Sequence, residues 1–297
     1  MSTSRTAVLP ALARPFAYVA LTKPDVTFLV VITTLAGFYM GAPGSIAGLL
    51  LFNTLLATTL VGAGTSALNH YIERASDAKM RRTAGRPLPL GLLQPKEALI
   101  FGVSFVLFGS IYLAILVNTL SAVLALATCV SYLGIYTPLK KLTPMSTTIG
   151  AIPGAIPPLI GWAAARGSLS WNAWILFAIL FLWQFPHFLA IAWMYREDYA
   201  RGGIRMLPVV DPSGRATFRQ VIGTAALLVP VSLLPSVVGI TGIPYFFGAL
   251  VMGMALVQMC LWAERGKTNI RAKWLMHATV IHIPLLLALM MYDKISH

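Results

Sequence analysis

Runs of about twenty mostly apolar residues recur along this chain, and no other feature restricts its fold as strongly. A run of that length crosses the hydrocarbon of a bilayer as a helix, because backbone groups out of reach of water must pair within their own segment. Nine runs meet the rule, at about 22–41, 46–70, 97–117, 120–137, 147–165, 171–194, 219–238, 244–263 and 274–292. Of the 297 residues 58% are hydrophobic and only 10% charged, too few charges to wet the surface of a water-soluble domain of this size. The expected fold class is therefore all-α, a polytopic membrane bundle of nine transmembrane helices around a central cavity. Gly and Pro within the runs, as in Ile152-Pro153-Gly154-Ala155-Ile156-Pro157-Pro158, predict kinks and close helix contacts.

Residues 22–293 form the expected transmembrane domain, and residues 1–21 an N-terminal tail. The tail carries Arg5 and Arg14 but only a short, Pro-broken apolar run with no convincing cleavage site. It reads as a retained, amphipathic surface segment rather than a signal peptide. Cys129 and Cys260 lie inside apolar runs and show neither disulfide nor metal-cluster spacing.

A net charge of +13 would suit a nucleic-acid partner, but its placement argues against one. Of the 22 Lys and Arg residues, all but Arg166 and Lys294 fall in the tail or in the connections after the second, fourth, sixth and eighth runs. The positive-inside rule makes that face cytoplasmic, or its organellar equivalent, with the N-terminus on it; a bacterial inner membrane is the expected setting. Of the nine acids all but Asp293 share the same side, so the charge is more than a topology signal. Polar chemistry is gathered on one membrane face.

The densest polar stretch follows the second run, Asn69-His70-Tyr71-Ile72-Glu73-Arg74-Ala75-Ser76-Asp77 and on to Arg86-Pro87. If the helix continues, its N-x-x-x-E-x-x-x-D spacing sets Asn69, Glu73 and Asp77 along one face. Oxygen ligands so arranged suit Mg2+, which keeps waters and shares itself with substrate phosphates. The competing reading is a solvated helix end balanced by nearby arginines. A second acidic loop, Tyr195-Arg196-Glu197-Asp198-Tyr199, lies after the sixth run, and both polar stretches end in a basic residue shortly before Leu-Pro. The pair is expected to form two half-sites facing each other over the cavity, with Glu197 and Asp198 as further metal ligands and Asp77 and Asp198 as the catalytic carboxylates. Among the basic residues, Arg81, Arg82, Arg86, Lys140, Lys141 and Arg205 are the candidates to hold a diphosphate and stabilise it as it departs.

Trp183-Gln184-Phe185-Pro186-His187 lies well inside the sixth run. An ionisable residue within a span faces a cavity or the protein interior. His187 is thus either a neutral side chain bonded to a neighbouring helix across the Pro186 kink or a substrate contact. His277 and His282, five apart, do not share a helix face well and read as structural.

These motifs resemble the UbiA-type intramembrane prenyltransferases and, among them, the branch that farnesylates haem. The likeness runs from about residue 20 to 292. It rests on Asn69–Arg74, Met80-Arg81-Arg82-Thr83, Tyr136-Thr137-Pro138-Leu139-Lys140-Lys141, Pro157–Trp162, Trp183–His187 and the stretch from Asp198-Tyr199 to Met206-Leu207-Pro208-Val209-Val210. Glu73 stands where the family more often has Asp, Tyr195 where related enzymes begin their second acidic motif with Asp, and Ser146 where Asn is commoner.

The resemblance implies an Mg2+-dependent transfer of a farnesyl group from farnesyl diphosphate to a vinyl group of haem B. Water adds in the same reaction, giving haem O and diphosphate. Haem B is then a substrate rather than a cofactor, His187, Trp183 and Gln184 line its pocket, and membrane lipid surrounds the whole. No nucleic acid takes part. A haem A synthase or a terminal oxidase assembly factor is the implied protein partner. The competing functions are prenyl transfer to a quinone precursor or other aromatic acceptor, transport of anionic or lipidic cargo, and a non-catalytic role in oxidase assembly.

Overall fold

The computed structural model describes residues 13–295, and the first twelve residues of the expected tail, Arg5 among them, lie outside the described residues. Helix α1 (Ala13–Leu21) buries Ala17 and Leu21 against Leu88, Leu93 and Ala98 while Phe16 and Val19 stay exposed. That two-sidedness is what a helix lying on a membrane surface requires. Among the described residues nine long apolar helices follow: α2 (Pro24–Gly41), α3 (Gly48–Asp77), α4 (Pro95–Leu116), α5 (Thr119–Leu139), α6 (Ser146–Arg166), α7 (Trp171–Met194) and, after two short helices α8 (Arg196–Arg201) and α9 (Leu207–Val210), α10 (Arg215–Val237), α11 (Ile243–Gly266) and α12 (Asn269–Tyr292). No strand occurs among the described residues, and the chain is an integral, multi-pass membrane protein of all-α class.

Three features of the helices matter: two depart from the sequence expectation, and the third is the kink that the prolines of α6 predict. Helix α3 does not stop near residue 70 but runs to Asp77, because a helix can outlast the apolar run that identifies it once its end reaches polar surroundings. Helix α5 contains a π-helical segment, Ser131–Tyr136, which no hydrophobic period announces. Helix α6 is interrupted around Ile156, between Ala155 and Pro157, since Pro157 brings no N–H to the ladder.

Glycine governs how closely the spans cross, since helices in lipid associate through packing rather than through an aqueous hydrophobic effect. A Cβ on Gly161 of α6 would fall 2.0 Å from the Thr34 carbonyl oxygen of α2, and one on Gly37 of α2 would fall 2.0 Å from that of Pro158. Both obstacles are backbone and cannot rotate away. We expect Gly161→Ala to pry α2 from α6 and destabilise the fold by about 1–3 kcal/mol, the usual cost of overpacking. Thermal melting in detergent checks this, and an unchanged midpoint would contradict the contact.

The connections on one side of the bundle meet. Arg205 N donates to Lys140 O (2.7 Å), joining the segment after α8 to the end of α5. Met80, from the connection after α3, packs with Ala192, Ile204 and Met206. The polar loops after α3, α5 and α7 therefore cover one end of the bundle together.

Candidate active site

The continued α3 presents Asn69, Glu73 and Asp77 to one polar cavity of about 210 Å³, as their four-residue spacing requires. Arg82, Arg86 and Lys140 line it too, and so does Lys23. Every acid on this face of α3 has a basic partner. Arg86 donates to Asp77 Oδ2 (2.7 Å) and Lys140 to Glu73 Oε1 (2.7 Å), while Lys23 Nζ donates to Asn69 Oδ1 (2.6 Å). Lys140 also lies 4.4 Å from the Tyr136 ring centroid, a favourable position for a cation. Asp77 Oδ1 is buried and has no hydrogen-bond partner among the described residues.

Lys23 is the residue that sequence reading missed as part of the site. It sits at a helix start, before Pro24, with a left-handed φ of 47°. Burial, and then the nearby Arg86 charge, lowers its ammonium pKa to about 7. Its only signal was a lysine at the edge of an apolar run, where it passed as one more topology charge.

A second, apolar cavity of about 230 Å³ extends deeper into the bundle and shares Lys23, Val26, Tyr132, Tyr136 and Phe188 with the polar one. Tyr132 and Tyr136 come from the π-helical part of α5, so the departure from α-geometry falls where the two cavities join. A group with a charged head and an apolar tail would fit with its head on α3 and its tail beyond the tyrosines.

Several expected roles change. Asp198 is 6% exposed and faces the other polar loop, not the cavity. Its oxygens accept from Arg81 N (3.1 Å) and Arg82 N (3.2 Å), and it pairs with Arg201. Burial alone would raise its pKa, but the Arg201 contact and the two backbone N–H groups outweigh it and hold the carboxyl below the usual range. The two loops are thus pinned side by side rather than facing each other as half-sites. Loop two contributes Tyr199, Ile204 and Met206 to the cavity wall.

Glu197, Lys141 and Arg205 are exposed. Glu197 neighbours buried Asp198 in α8, where adjacent residues diverge by about 100°, and Lys141 follows Lys140 in the turn after α5. Arg205 lies in a non-helical segment between buried Ile204 and Met206, where alternation turns it outward. Arg81 contributes its backbone N–H, and Arg82 reaches the cavity with its guanidinium over the rings of Tyr195 and Tyr199.

The Trp183, Gln184 and His187 group divides. Gln184 lines the apolar cavity and donates to Ala151 O and Leu180 O. Trp183 Nε1 donates to Thr279 O on α12 (2.8 Å), and His187 Nδ1 lies 2.9 Å from Thr279 Oγ1, its ring stacked on Trp183. The expected bond of His187 to a neighbouring helix is thus made, to α12.

The donor set suits a hard cation. Asn69, Glu73 and Asp77 offer only oxygen, and Asp77 Oδ1 is left over. Among the described residues no three His, Cys, Asp or Glu side chains stand together to hold an ion alone. An ion here would complete its shell with water and substrate oxygens, as Mg2+ ordinarily does.

Comparison with known proteins agrees with this architecture. The chain is 47% identical over 286 residues to a protoheme IX farnesyltransferase of Solibacter usitatus (strain Ellin6076), covering 93% of this chain and 98% of that one. It is 39% identical to a protein of that name from Aquifex aeolicus (strain VF5), over 94% of this chain and 95% of the relative. In fold it resembles a solved structure concerning digeranylgeranylglyceryl phosphate synthase, with a TM-score of 0.78 at 17% identity, covering 95% and 98% of the two chains. A UbiA homolog from Archaeoglobus fulgidus bound to GPP and Mg2+ superposes with a TM-score of 0.63 at 14% identity, over 92% of this chain and 99% of that one. The family model described as UbiA prenyltransferase family matches residues 30–281, from α2 to α12 and so across both cavities, and the chain belongs to that family.

Proposed function

We propose that this protein transfers the farnesyl group of farnesyl diphosphate to a vinyl group of haem B, with addition of water, giving haem O and diphosphate. One observation carries the reading of the site: a polar cavity ringed by paired acids and bases opens directly into an apolar one. The haem acceptor is supported by the protoheme IX farnesyltransferase of Solibacter usitatus (strain Ellin6076), 47% identical to this chain.

In this reading Lys23, Arg82, Arg86 and Lys140 hold the diphosphate, and Asn69, Glu73 and Asp77 are the residues that would hold Mg2+. When bound, the ion supplies charge stabilisation to the departing diphosphate. Diphosphate entering the cavity competes for the cations now spent on Asp77 and Glu73, which frees those carboxylates for the metal. Tyr132, Tyr136 and Phe188 at the junction hold C1 of the tail beneath its leaving group. There the C1–O bond breaks, C1 bonds to the terminal carbon of the vinyl group, and water closes on the adjoining carbon with loss of a proton. The apolar wall keeps water from taking C1 first. Asp198 acts on this machinery through the position of Arg82. Residues 22–293 then form one domain, with the site at the cytoplasmic face of a bacterial inner membrane, a placement supported by the one-sided Lys and Arg.

The test is to incubate purified protein, in detergent or lipid, with haem B, farnesyl diphosphate and Mg2+ and to analyse the haem by mass spectrometry. A hydroxyethylfarnesyl haem is expected. Its absence with folded protein, together with prenylation of a quinone precursor under the same conditions, would assign a different acceptor.

A further inference from the structure

We propose that a closed floor formed by Thr58, Val61, Ala125 and Ile160 sets the length of prenyl chain that the tail cavity accepts. The inference rests on the reading that this cavity holds the tail of the diphosphate substrate.

Helix register orders the cavity wall by depth. On α3 the lining runs from Asp77, Glu73 and Asn69 at the polar end through Ser66, Thr65 and Gly62 to Val61 and Thr58. On α6 it runs from Thr147 past Gly150, Gly154 and Pro157 to Ile160, and on α5 from Tyr136 and Tyr132 through Thr128 to Ala125. The deepest residues on all three helices are therefore Thr58 with Val61, Ile160 and Ala125. From Tyr136 to Ala125, eleven residues at a helical rise of about 1.5 Å separate the junction, where C1 sits, from the floor by about 16 Å. An extended farnesyl tail is of that length, and a further isoprene unit would run into the floor.

The floor is closed from below. Val61, Ala125 and Ile160 also belong to a buried cluster with Ala57, Leu113, Ala122 and Ile156, all 9% exposed or less. Beneath it α5 is tied to α6, because Ser121 Oγ donates to Ile160 O (3.1 Å) and Asn118 Nδ2 to Ala163 O (2.8 Å). A packed layer held by cross-helix hydrogen bonds does not yield to an extra isoprene unit without strain. The small Ala125 leaves room that a larger side chain would take away.

The experiment uses the full protein in lipid with haem B and equimolar geranyl, farnesyl and geranylgeranyl diphosphates, and compares the product ratios by mass spectrometry. Val61→Ala and Ile160→Val deepen the floor and are expected to raise geranylgeranyl over farnesyl product by about tenfold or more, the discrimination that one or two methylenes confer in an apolar pocket. Ala125→Leu raises the floor and is expected to shift product toward geranyl by a similar factor. Because the variants act in opposite directions, loss of folding in one leaves the other decisive. Unchanged ratios in variants that still farnesylate haem would overturn the floor while leaving the proposed reaction standing, since the tail would then leave sideways between helices. A wild-type protein that prenylates no haem with any of the three would overturn the reaction, and the floor with it.

Discussion

Asp77→Asn is expected to lower turnover about a thousandfold while the protein stays folded, at the upper end of what removing one preorganised electrostatic group costs an enzyme. The side chain is 1% exposed, one oxygen is spent on Arg86, and the other has no partner among the described residues. Asparagine keeps the size and one oxygen but removes the charge that would face the metal. Alanine is the poorer test, because it would leave Arg86 beside an empty space, and breaking a buried pair costs several kcal/mol in folding. The measurement is single-turnover farnesyl transfer across a Mg2+ titration, with thermal melting as the control. Asp77→Asn should also need more Mg2+ for whatever rate remains. A wild-type rate at ordinary Mg2+ would remove Asp77 from the site.

Asp198→Ala should lose about a hundredfold in rate by a different route. Asp198 accepts from two consecutive backbone N–H groups in the other loop, at Arg81 and Arg82, and charge-assisted hydrogen bonds of that kind contribute about 1.5–3 kcal/mol each. Without them Arg82 is no longer held at the cavity, and the backbone amides of Arg81 and Arg82 lose their partner. Two readouts separate this from a metal-ligand role. Hydrogen exchange at residues 81 and 82 should accelerate, while the Mg2+ concentration for half-maximal rate should stay as in the wild type. If Asp198→Ala instead raises the Mg2+ requirement as Asp77→Asn does, then Asp198 binds the metal and the loop-tie assignment is wrong.

These two aspartates illustrate how far residue order reaches. Both were legible as candidates, each an acid beside arginines at the same membrane face. Their contacts were legible only for the first. Asp77 shares a helix face with Asn69 and Glu73, and helix geometry carries that relation however the rest of the chain packs. Asp198 meets Arg81 and Arg82 across more than a hundred residues, and no local period reports such a contact. Lys23 shows the same limit from the other side: its partner Asn69 is on another helix, and alone it looked like a topology charge.

The nine spans found among the described residues, their boundaries to within five residues except at the end of α3, and the gathering of polar residues at one end follow from local composition. The bilayer is a uniform solvent, and each segment meets its demands alone. Which oxygen meets which cation, which of two adjacent acids or lysines turns inward, and where the tail cavity closes depend on how α2, α3, α5, α6 and α7 pack against one another. Contacts between distant segments arise only when side-chain volumes such as those of Gly37, Gly161 and Ile160 set the distance between helices.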